Sequence, residues 1–174
     1  MRVQFNNNKM KRIVIVRHAK AVPYGYHDDF HRDLQERGKK DAKIVGSELH
    51  KQGIKADAMI SSPAKRAMKT ARIFAKKMNF NKNHIRQMNE IYEGLSTYEF
   101  LDIINKLPDQ WNTVFFFGHN PGFHLFAKYL LSRFDEDMPT CATIGIDFDG
   151  NNWKEVKAHS GSQRFRIIPK MYRS

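Results

Sequence analysis

The chain has 174 residues, 41% of them hydrophobic, which suits one globular domain and argues against an intrinsically disordered protein. No apolar run approaches the roughly 20 residues needed to cross a bilayer, and residues 1–11 lack the apolar core of a signal peptide, so we expect no membrane partner. Cys141 is the only cysteine, which excludes an intrachain disulfide and, because it fits a reducing compartment, leads us to expect a cytoplasmic location.

The formal net charge is +12, with basic residues spread through the predicted helices. One interpretation is attraction to an anionic partner such as a phosphorylated protein or a nucleic acid. The other is a set of solvated helix faces. Nucleic acid is the less favoured partner, since no known binding motif and no interleaving of aromatic and basic residues supports it.

The polar stretch at residues 1–9 predicts a flexible N-terminal segment, and we place a single folded domain at residues 10–174. Branched apolar residues predict a buried strand over about 12–16. A helix is predicted over about 37–52 from its apolar stripe, with Gly53 placed to end it.

An apolar run predicts a second strand over 56–60, and a helix is expected from Pro63 to about Met78 with Ser62 as its N-cap. Residues 79–96 have no clear pattern. A further helix is predicted over 97–107.

The strongest strand signal is at 113–117, and a helix should follow it to about residue 132. The C-terminal part predicts strands over 142–148 and 153–158, joined by a tight turn, and a last strand over 164–168. Alternating strands and helices followed by a hairpin predict an α/β fold with a mostly parallel sheet and an antiparallel edge.

Three of the predicted strands are followed directly by polar, chemically capable residues. These are Arg17 with His18, then Ser62 with Arg66 four residues later, and finally His119. If the three strands are parallel, their carboxyl ends lie at one edge of the sheet, where open α/β sheets bind ligands.

Two histidines, two arginines and two helix N-termini form a combination that suits a phosphoryl group. Arginine binds phosphate oxygens through two parallel hydrogen bonds, and helix N-termini offer free N–H groups. A neutral histidine can attack phosphorus and carry the group covalently, and nearby arginines disfavour its protonated form. The sequence therefore predicts phosphoryl chemistry that requires no metal and no cofactor.

The residues resemble the histidine phosphatase superfamily, most closely its SixA-type phosphohistidine phosphatases. The likeness covers roughly residues 10–170. The motifs that carry it are Val16-Arg17-His18-Ala19-Lys20, Arg37-Gly38-Lys39-Lys40-Asp41-Ala42, Ser61-Ser62-Pro63-Ala64-Lys65-Arg66-Ala67 with Thr70-Ala71, Gly118-His119-Asn120-Pro121-Gly122, and Met138-Pro139-Thr140-Cys141. The resemblance implies a three-layer, phosphoglycerate mutase-like sandwich with helices on both faces of the sheet.

The resemblance also implies roles for individual residues. His18 would be the nucleophile that becomes phosphohistidine, and Arg17, Arg66 and His119 would complete the catalytic phosphate pocket. Further phosphate-pocket candidates are Lys20, Ser62 and Gly118.

The general acid is left open between Glu90, at the spacing usual in the superfamily, and Glu93, which fits the pattern of the SixA-type branch. That branch often lacks a clear proton donor, because a histidine nitrogen leaves phosphorus more easily than an alcohol does.

The leading hypothesis is a metal-independent phosphatase that dephosphorylates phosphohistidine on a signalling or phosphotransfer protein. A phosphate or sulfate ion is expected to bind the same pocket. One alternative is a phosphatase of small phosphomonoesters. Another is a non-enzymatic module that binds phosphate or nucleic acid. The loop before Leu34, with His27, His31 and three aspartates, is interpreted as a rim over the pocket rather than a metal site.

Overall fold

Six strands form one mixed sheet in this computed structural model, which describes residues 10–25 and 28–174. The segment 1–9, predicted to be flexible, and His27 of the predicted rim lie outside the described residues. The strands are β1 (Met10–Arg17), β2 (Ala58–Ser61), β3 (Arg86–Gln87), β4 (Thr113–Gly118), β5 (Thr143–Asp149) and β6 (Ser162–Ile167).

The strand order is β3-β2-β4-β1-β5-β6. Strands β3, β2, β4 and β1 run parallel to one another, whereas β5 is antiparallel to both of its neighbours. This arrangement confirms the predicted sheet, which is mostly parallel with an antiparallel part at one edge.

Helices cover both faces of the sheet because successive side chains of each strand point to opposite faces. In β1, Ile13 and Ile15 pack with the core that contains helices α3 to α5, and Val14 and Val16 pack with the core that contains α1 and α2. The helices are α1 (Glu36–Lys51), α2 (Lys65–Lys77), α3 (Asn89–Glu93), α4 (Thr97–Asn105) and α5 (Gly122–Leu130). The result is the predicted three-layer sandwich.

Helix α2 begins at Lys65, two residues later than predicted. The Ser62 hydroxyl accepts a hydrogen bond from the Ala64 N–H at 3.2 Å, so it closes a local turn and does not act as the helix N-cap. The predicted N-cap was wrong because a serine before a proline can either cap a helix or close a tight turn, and Ser62 closes a turn.

The predicted strand over 153–158 was also wrong. Residues Trp153–Glu155 form a short 3₁₀ turn, and β6 is the strand that pairs with β5. The indole N–H of Trp153 donates to the carbonyl oxygens of Pro108 and Trp111 at 3.1 and 2.9 Å. These bonds fix this segment as a long connection within the hairpin.

Gly38 allows α1 to pack directly against the loop that follows β1. A methyl group at this position would overlap the carbonyl oxygen of Lys20, and its neighbours are backbone atoms that cannot rotate away. The Lys20 carbonyl also accepts the Gln35 N–H at 2.9 Å, which holds the two segments together.

We therefore expect Gly38→Ala to lower the free energy of unfolding by about 1–3 kcal/mol, as overpacking of a core does. Urea denaturation measures the change. The matched control is Gly122→Ala at the start of α5, where an added methyl meets no atom within 4 Å among the described residues. Equal stability of the two variants would contradict the close-packing argument.

Candidate functional site

The carboxyl ends of β1, β2 and β4 lie side by side because the strands are parallel and in register. Arg17 pairs with Gly118, and Ser61 pairs with Phe117. One more bond extends each ladder past the strands, from the His18 N–H to the Gly118 oxygen and from the Ser62 N–H to the Phe117 oxygen, both at 2.9 Å. The polar residues of the three strand ends therefore converge, as the sequence predicts.

The imidazole of His18 is buried and held in one orientation. Its Nδ1 lies 2.8 Å from the carbonyl oxygen of Ala19. Since a carbonyl can only accept, Nδ1 carries the hydrogen and Nε2 keeps its lone pair. The Ala19 N–H in turn donates to the Thr70 hydroxyl of α2 at 3.0 Å, which fixes the carbonyl that orients the ring.

Burial lowers the pKa of His18 to about 4, and the charges of Arg66 and Arg17 add to this effect. The bond to Ala19 acts in the opposite direction but is outweighed. The arginines thus disfavour the protonated ring as expected from the sequence, although burial is the larger cause. A neutral imidazole with a free Nε2 is a nucleophile at neutral pH.

His119 lies next to His18, with the two ring centroids 5.3 Å apart. Its Nε2 is 2.8 Å from the Ser62 hydroxyl, whereas its buried Nδ1 has no hydrogen-bond partner among the described residues. Burial, followed by the charge of Arg66, lowers the pKa of His119 to about 3. When the hydroxyl donates to Nε2, the hydrogen is on Nδ1, which is then available to a bound anion.

Arg17 and Arg66 bring two largely buried guanidinium groups to the same place. Arg17 Nη1 donates to the Met138 carbonyl oxygen at 3.0 Å. The Nε atoms of both arginines are buried without a hydrogen-bond partner among the described residues. Burial lowers the pKa of each arginine, since a desolvated cation is unfavourable. Unsatisfied buried donors of this kind are expected where an anion binds.

The carboxylate of Asp29 lies where Arg66 could otherwise bind an anion. Arg66 Nη2 donates to Asp29 Oδ2 at 3.1 Å and Nη1 donates to the Asp29 carbonyl oxygen at 2.7 Å. Tyr92 donates to Oδ2 at 2.9 Å and Arg32 Nε donates to Oδ1 at 3.1 Å. Burial alone would raise the pKa of Asp29, but the bonds from Tyr92 and Arg66 lower it, so the group is an anion.

The sequence predicts that the loop containing Asp29 forms a rim over the pocket, and Asp29 does line the cavity, but sequence reasoning missed the bonds of Asp29 to Arg32 and Tyr92. The pair Asp29 and Arg32, three residues apart in a short loop, was the available signal, since that spacing allows an ion pair across one turn. Tyr92 gave no signal in the sequence, because its position depends on the packing of α3. Its ring packs edge-on against His119, with the centroids 5.9 Å apart.

A cavity of about 650 Å³ opens beside these residues and is lined by Asp29, Arg66, Tyr92 and His119. Of the two candidate acids, Glu93 lines this cavity; the lining does not include Glu90, and both are exposed.

The remaining candidates lie at the margins of the site. Gly118 is buried at the end of β4, with no room for a side chain because Phe123 and Ile91 pack against it. Lys20 is exposed just beyond Ala19. The chemical roles assigned to these residues, and to the four central ones, stay predictions.

Two general searches complete the description of residues 10–25 and 28–174. No group of three His, Cys, Asp or Glu side chains there is arranged to hold a metal ion. Within the same ranges, none of the helices combines the length and the apolar character needed to span a membrane.

The low pKa of His18 makes stability depend on pH. Between the usual histidine pKa near 6.5 and a pKa of about 4, the unfolded chain binds a proton that the folded chain does not. The free energy of unfolding is therefore highest above this window, where the ring is neutral in both states, and it decreases as the pH falls through the window. From pH 7 to pH 5 the wild type should lose about 2 kcal/mol more unfolding free energy than His18→Asn. Urea denaturation at both pH values tests this, and equal losses would contradict a neutral buried ring.

The carboxylate on Arg66 must be displaced before an oxyanion binds there. Asp29→Asn should therefore tighten tungstate binding by about tenfold, which corresponds to one charge-assisted hydrogen bond. Isothermal titration calorimetry measures the affinity. Asp33→Asn is the control because it removes the same charge from the same loop, where Asp33 binds Lys65 and Lys69. Equal gains in tungstate affinity for the two variants would indicate a general electrostatic effect of removing one negative charge, and not direct competition for Arg66.

The chain is similar to known phosphatases in part of its sequence and to solved structures in its fold. Curated relatives include Pgam5 proteins, each described as a mitochondrial serine/threonine-protein phosphatase. The protein from Drosophila melanogaster is 36% identical over 86 residues, which is 49% of this chain and 29% of the relative. The protein from Drosophila mojavensis is 34% identical over 84 residues, 48% of this chain and 29% of the relative. The chain thus spans less than a third of the length of these relatives.

Solved structures match almost the whole chain. The protein histidine phosphatase SixA, in complex with tungstate, has a TM-score of 0.75 and 16% identity over 93% of this chain and 99% of its own. Phosphoglycerate mutase from Plasmodium falciparum has a TM-score of 0.62 and 19% identity over 91% of both chains. These matches confirm the phosphoglycerate mutase-like fold. The family model described as histidine phosphatase superfamily (branch 1) matches residues 13–130, from β1 to the end of α5. The chain therefore belongs to the histidine phosphatase superfamily.

Proposed function

We propose that the protein is a phosphatase that works through a phosphohistidine intermediate on His18 and removes phosphate from phosphohistidine on a signalling or phosphotransfer protein. One observation carries the proposal. The Nδ1 of His18 is bonded to the Ala19 carbonyl, which leaves the Nε2 of a neutral ring free beside two arginines. A site that only bound phosphate would have no need of a fixed, unprotonated nucleophile.

The first step forms the phosphoenzyme. The phosphoryl group displaces the Asp29 carboxylate from Arg66, and both arginines then neutralise the phosphoryl oxygens. His18 Nε2 forms a bond to phosphorus while the bond from phosphorus to the leaving atom breaks. The Nδ1–H of His119 is available to donate to the oxygens on which charge accumulates. The arginines supply the compensating charge, so the proposal assigns no metal or cofactor.

The second step releases phosphate. Water attacks phosphorus, the bond to His18 Nε2 breaks, and the ring is restored with its hydrogen still on Nδ1. The water proton passes to a base near the cavity, and the leaving group of the first step takes up a proton there. Glu93 lines the cavity and is better placed for such transfers than Glu90, and both remain candidates. A phosphohistidine substrate needs little help, since its ring nitrogen leaves readily.

The openness of the site supports a protein substrate. Between the end of α2 and the start of β4 the chain has only a 3₁₀ turn at Lys82–His84, the two-residue strand β3 and two short helices, α3 and α4. Exposed Leu125 and Glu93 lie at the cavity lining, which leaves room for a side chain presented by another protein. The SixA comparison supports the same substrate, and a cytoplasmic location is part of the proposal.

The test uses a protein carrying ³²P-phosphohistidine as substrate, with EDTA present. We expect His18→Ala to lower the rate of label loss by at least about a thousandfold, as removal of a nucleophile does. The matched control is His50→Ala, which removes an exposed histidine from the last turn of α1. Label trapped on the wild type should be released by acid, as a phosphoramidate is.

Three results would contradict the proposal. Equal rates of label loss for His18→Ala and the wild type would exclude His18 as the nucleophile. Comparable turnover of p-nitrophenyl phosphate and the phosphohistidine protein would favour a phosphatase of small phosphomonoesters. Tungstate binding without turnover of either substrate would favour a non-enzymatic phosphate-binding module.

A further inference from the structure

The basic charge of the protein is concentrated next to the site. The segment from Ala58 to Asn89 contains eight of the 30 lysines and arginines and none of the 18 aspartates and glutamates. It runs from β2 through α2 to the start of α3, and Arg66 of the site is its second basic residue. The other seven are Lys65, Lys69, Arg72, Lys76, Lys77, Lys82 and Arg86.

Four of these residues form one stripe along α2, since Lys65, Lys69, Arg72 and Lys76 are spaced by four, three and four positions. Lys82 joins the stripe beyond the helix, because it lines a cavity of about 600 Å³ together with Arg72. We call these five residues the basic face. It begins one residue from Arg66 and extends about 16 Å along the helix.

The charge of the basic face is left largely uncompensated. Lys65 and Lys69 share the single carboxylate of Asp33, at 3.2 and 2.7 Å. Arg72, Lys76 and Lys82 form no ion pair within residues 10–25 and 28–174. Some exposed cations elsewhere have partners, as Lys106 has in Asp102 and Arg133 has in Asp135, whereas others, such as Lys154 and Lys157, form no ion pair among the described residues. The basic face differs from these in that its cations follow one another along a single helix stripe.

This arrangement lowers the stability of the helix it occupies. Like charges four residues apart repel, as Lys65 and Lys69 do, and Arg72 and Lys76 repeat the spacing. The first turn of α2 has no acidic residue, and Lys65 there is unfavourable for the helix dipole. Glutamates on the same stripe would stabilise an ordinary solvated helix, so their absence from the segment indicates a use for the charge.

We propose that the basic face is the docking surface for an acidic stretch of the substrate protein next to its phosphorylated residue. This rests on the proposed function, because the phosphorylated residue itself enters the site at Arg66. A 16 Å surface matches about five residues of extended chain at roughly 3.3 Å each. The expected substrate therefore carries Asp or Glu within about five residues of the phosphorylated position. Charge complementarity would raise its association rate and position it for transfer.

The test compares two phosphohistidine peptides that differ only in having five Glu or five Gln on each side of the phosphohistidine. The wild type should have a kcat/KM about tenfold higher for the Glu peptide, with the preference declining as salt is added. The triple variant Arg72→Gln, Lys76→Gln and Lys82→Gln should lose this preference and keep its rate on p-nitrophenyl phosphate.

The matched control is Lys154→Gln, Lys157→Gln and Arg164→Gln. It removes the same number of charges from exposed residues on the connection to β6 and on β6, at the opposite edge of the sheet from β3. The control should keep the preference for the Glu peptide. Equal loss in both variants would show that net charge, and not the basic face, attracts the substrate.

A binding measurement separates failure of this inference from failure of the proposed function. Fluorescence anisotropy with an unphosphorylated, labelled Glu peptide measures binding without turnover. The affinity of the protein for this peptide should fall in the triple variant of the basic face, here called the α2 variant, but not in the control. Unchanged affinity in the α2 variant would overturn the docking surface even if phosphohistidine is hydrolysed. A loss of affinity for single-stranded DNA alone, with the Glu peptide unaffected, would overturn it in favour of nucleic acid.

Discussion

The site depends on the backbone pairing of three parallel strands. The ladder between β1 and β4 continues one residue past the strands, where the His18 N–H binds the Gly118 oxygen, and β2 is joined to β4 in the same way at Ser62. These bonds lie in a fully buried part of the sheet, so a slip by one residue would exchange its two apolar faces. The register that satisfies the core therefore also determines which side chains meet at the carboxyl edge.

The second constraint is electrostatic. Two guanidinium groups at a buried edge would be unfavourable without an anion, and burial lowers the pKa of both of them and of the two neutral imidazoles beside them. The structure meets this with Asp29, which also receives bonds from Arg32 and Tyr92. Under the proposed function, the carboxylate occupies the position that the phosphoryl group would take on Arg66. It keeps Arg66 in place before a substrate binds, at the expense of competing with that substrate.

Sequence reasoning located the central residues because their signals are local. A buried strand followed by a polar residue is visible in the chain at His18 and His119, and parallel pairing brings the ends together. Asp29 and Tyr92 could not be found in this way, since their contact joins residues 63 positions apart through a short loop and a five-residue helix. The same limit explains residues 153–158, where the bonds of Trp153 to a distant segment override the local pattern.

The two electrostatic features differ in what they can select. Inside the site, charge is desolvated and is balanced at short range by Asp29, so under the proposed function it would contact the phosphoryl group and little of what bears it. On α2, the charge of Arg72 and Lys76 is exposed and screened by salt, so it is weak for any single contact and effective only when several opposite charges lie together. A phosphate alone cannot use that surface, whereas an acidic protein segment can. Selection among phosphorylated partners would therefore come from the surface, while the chemistry stays common to all of them.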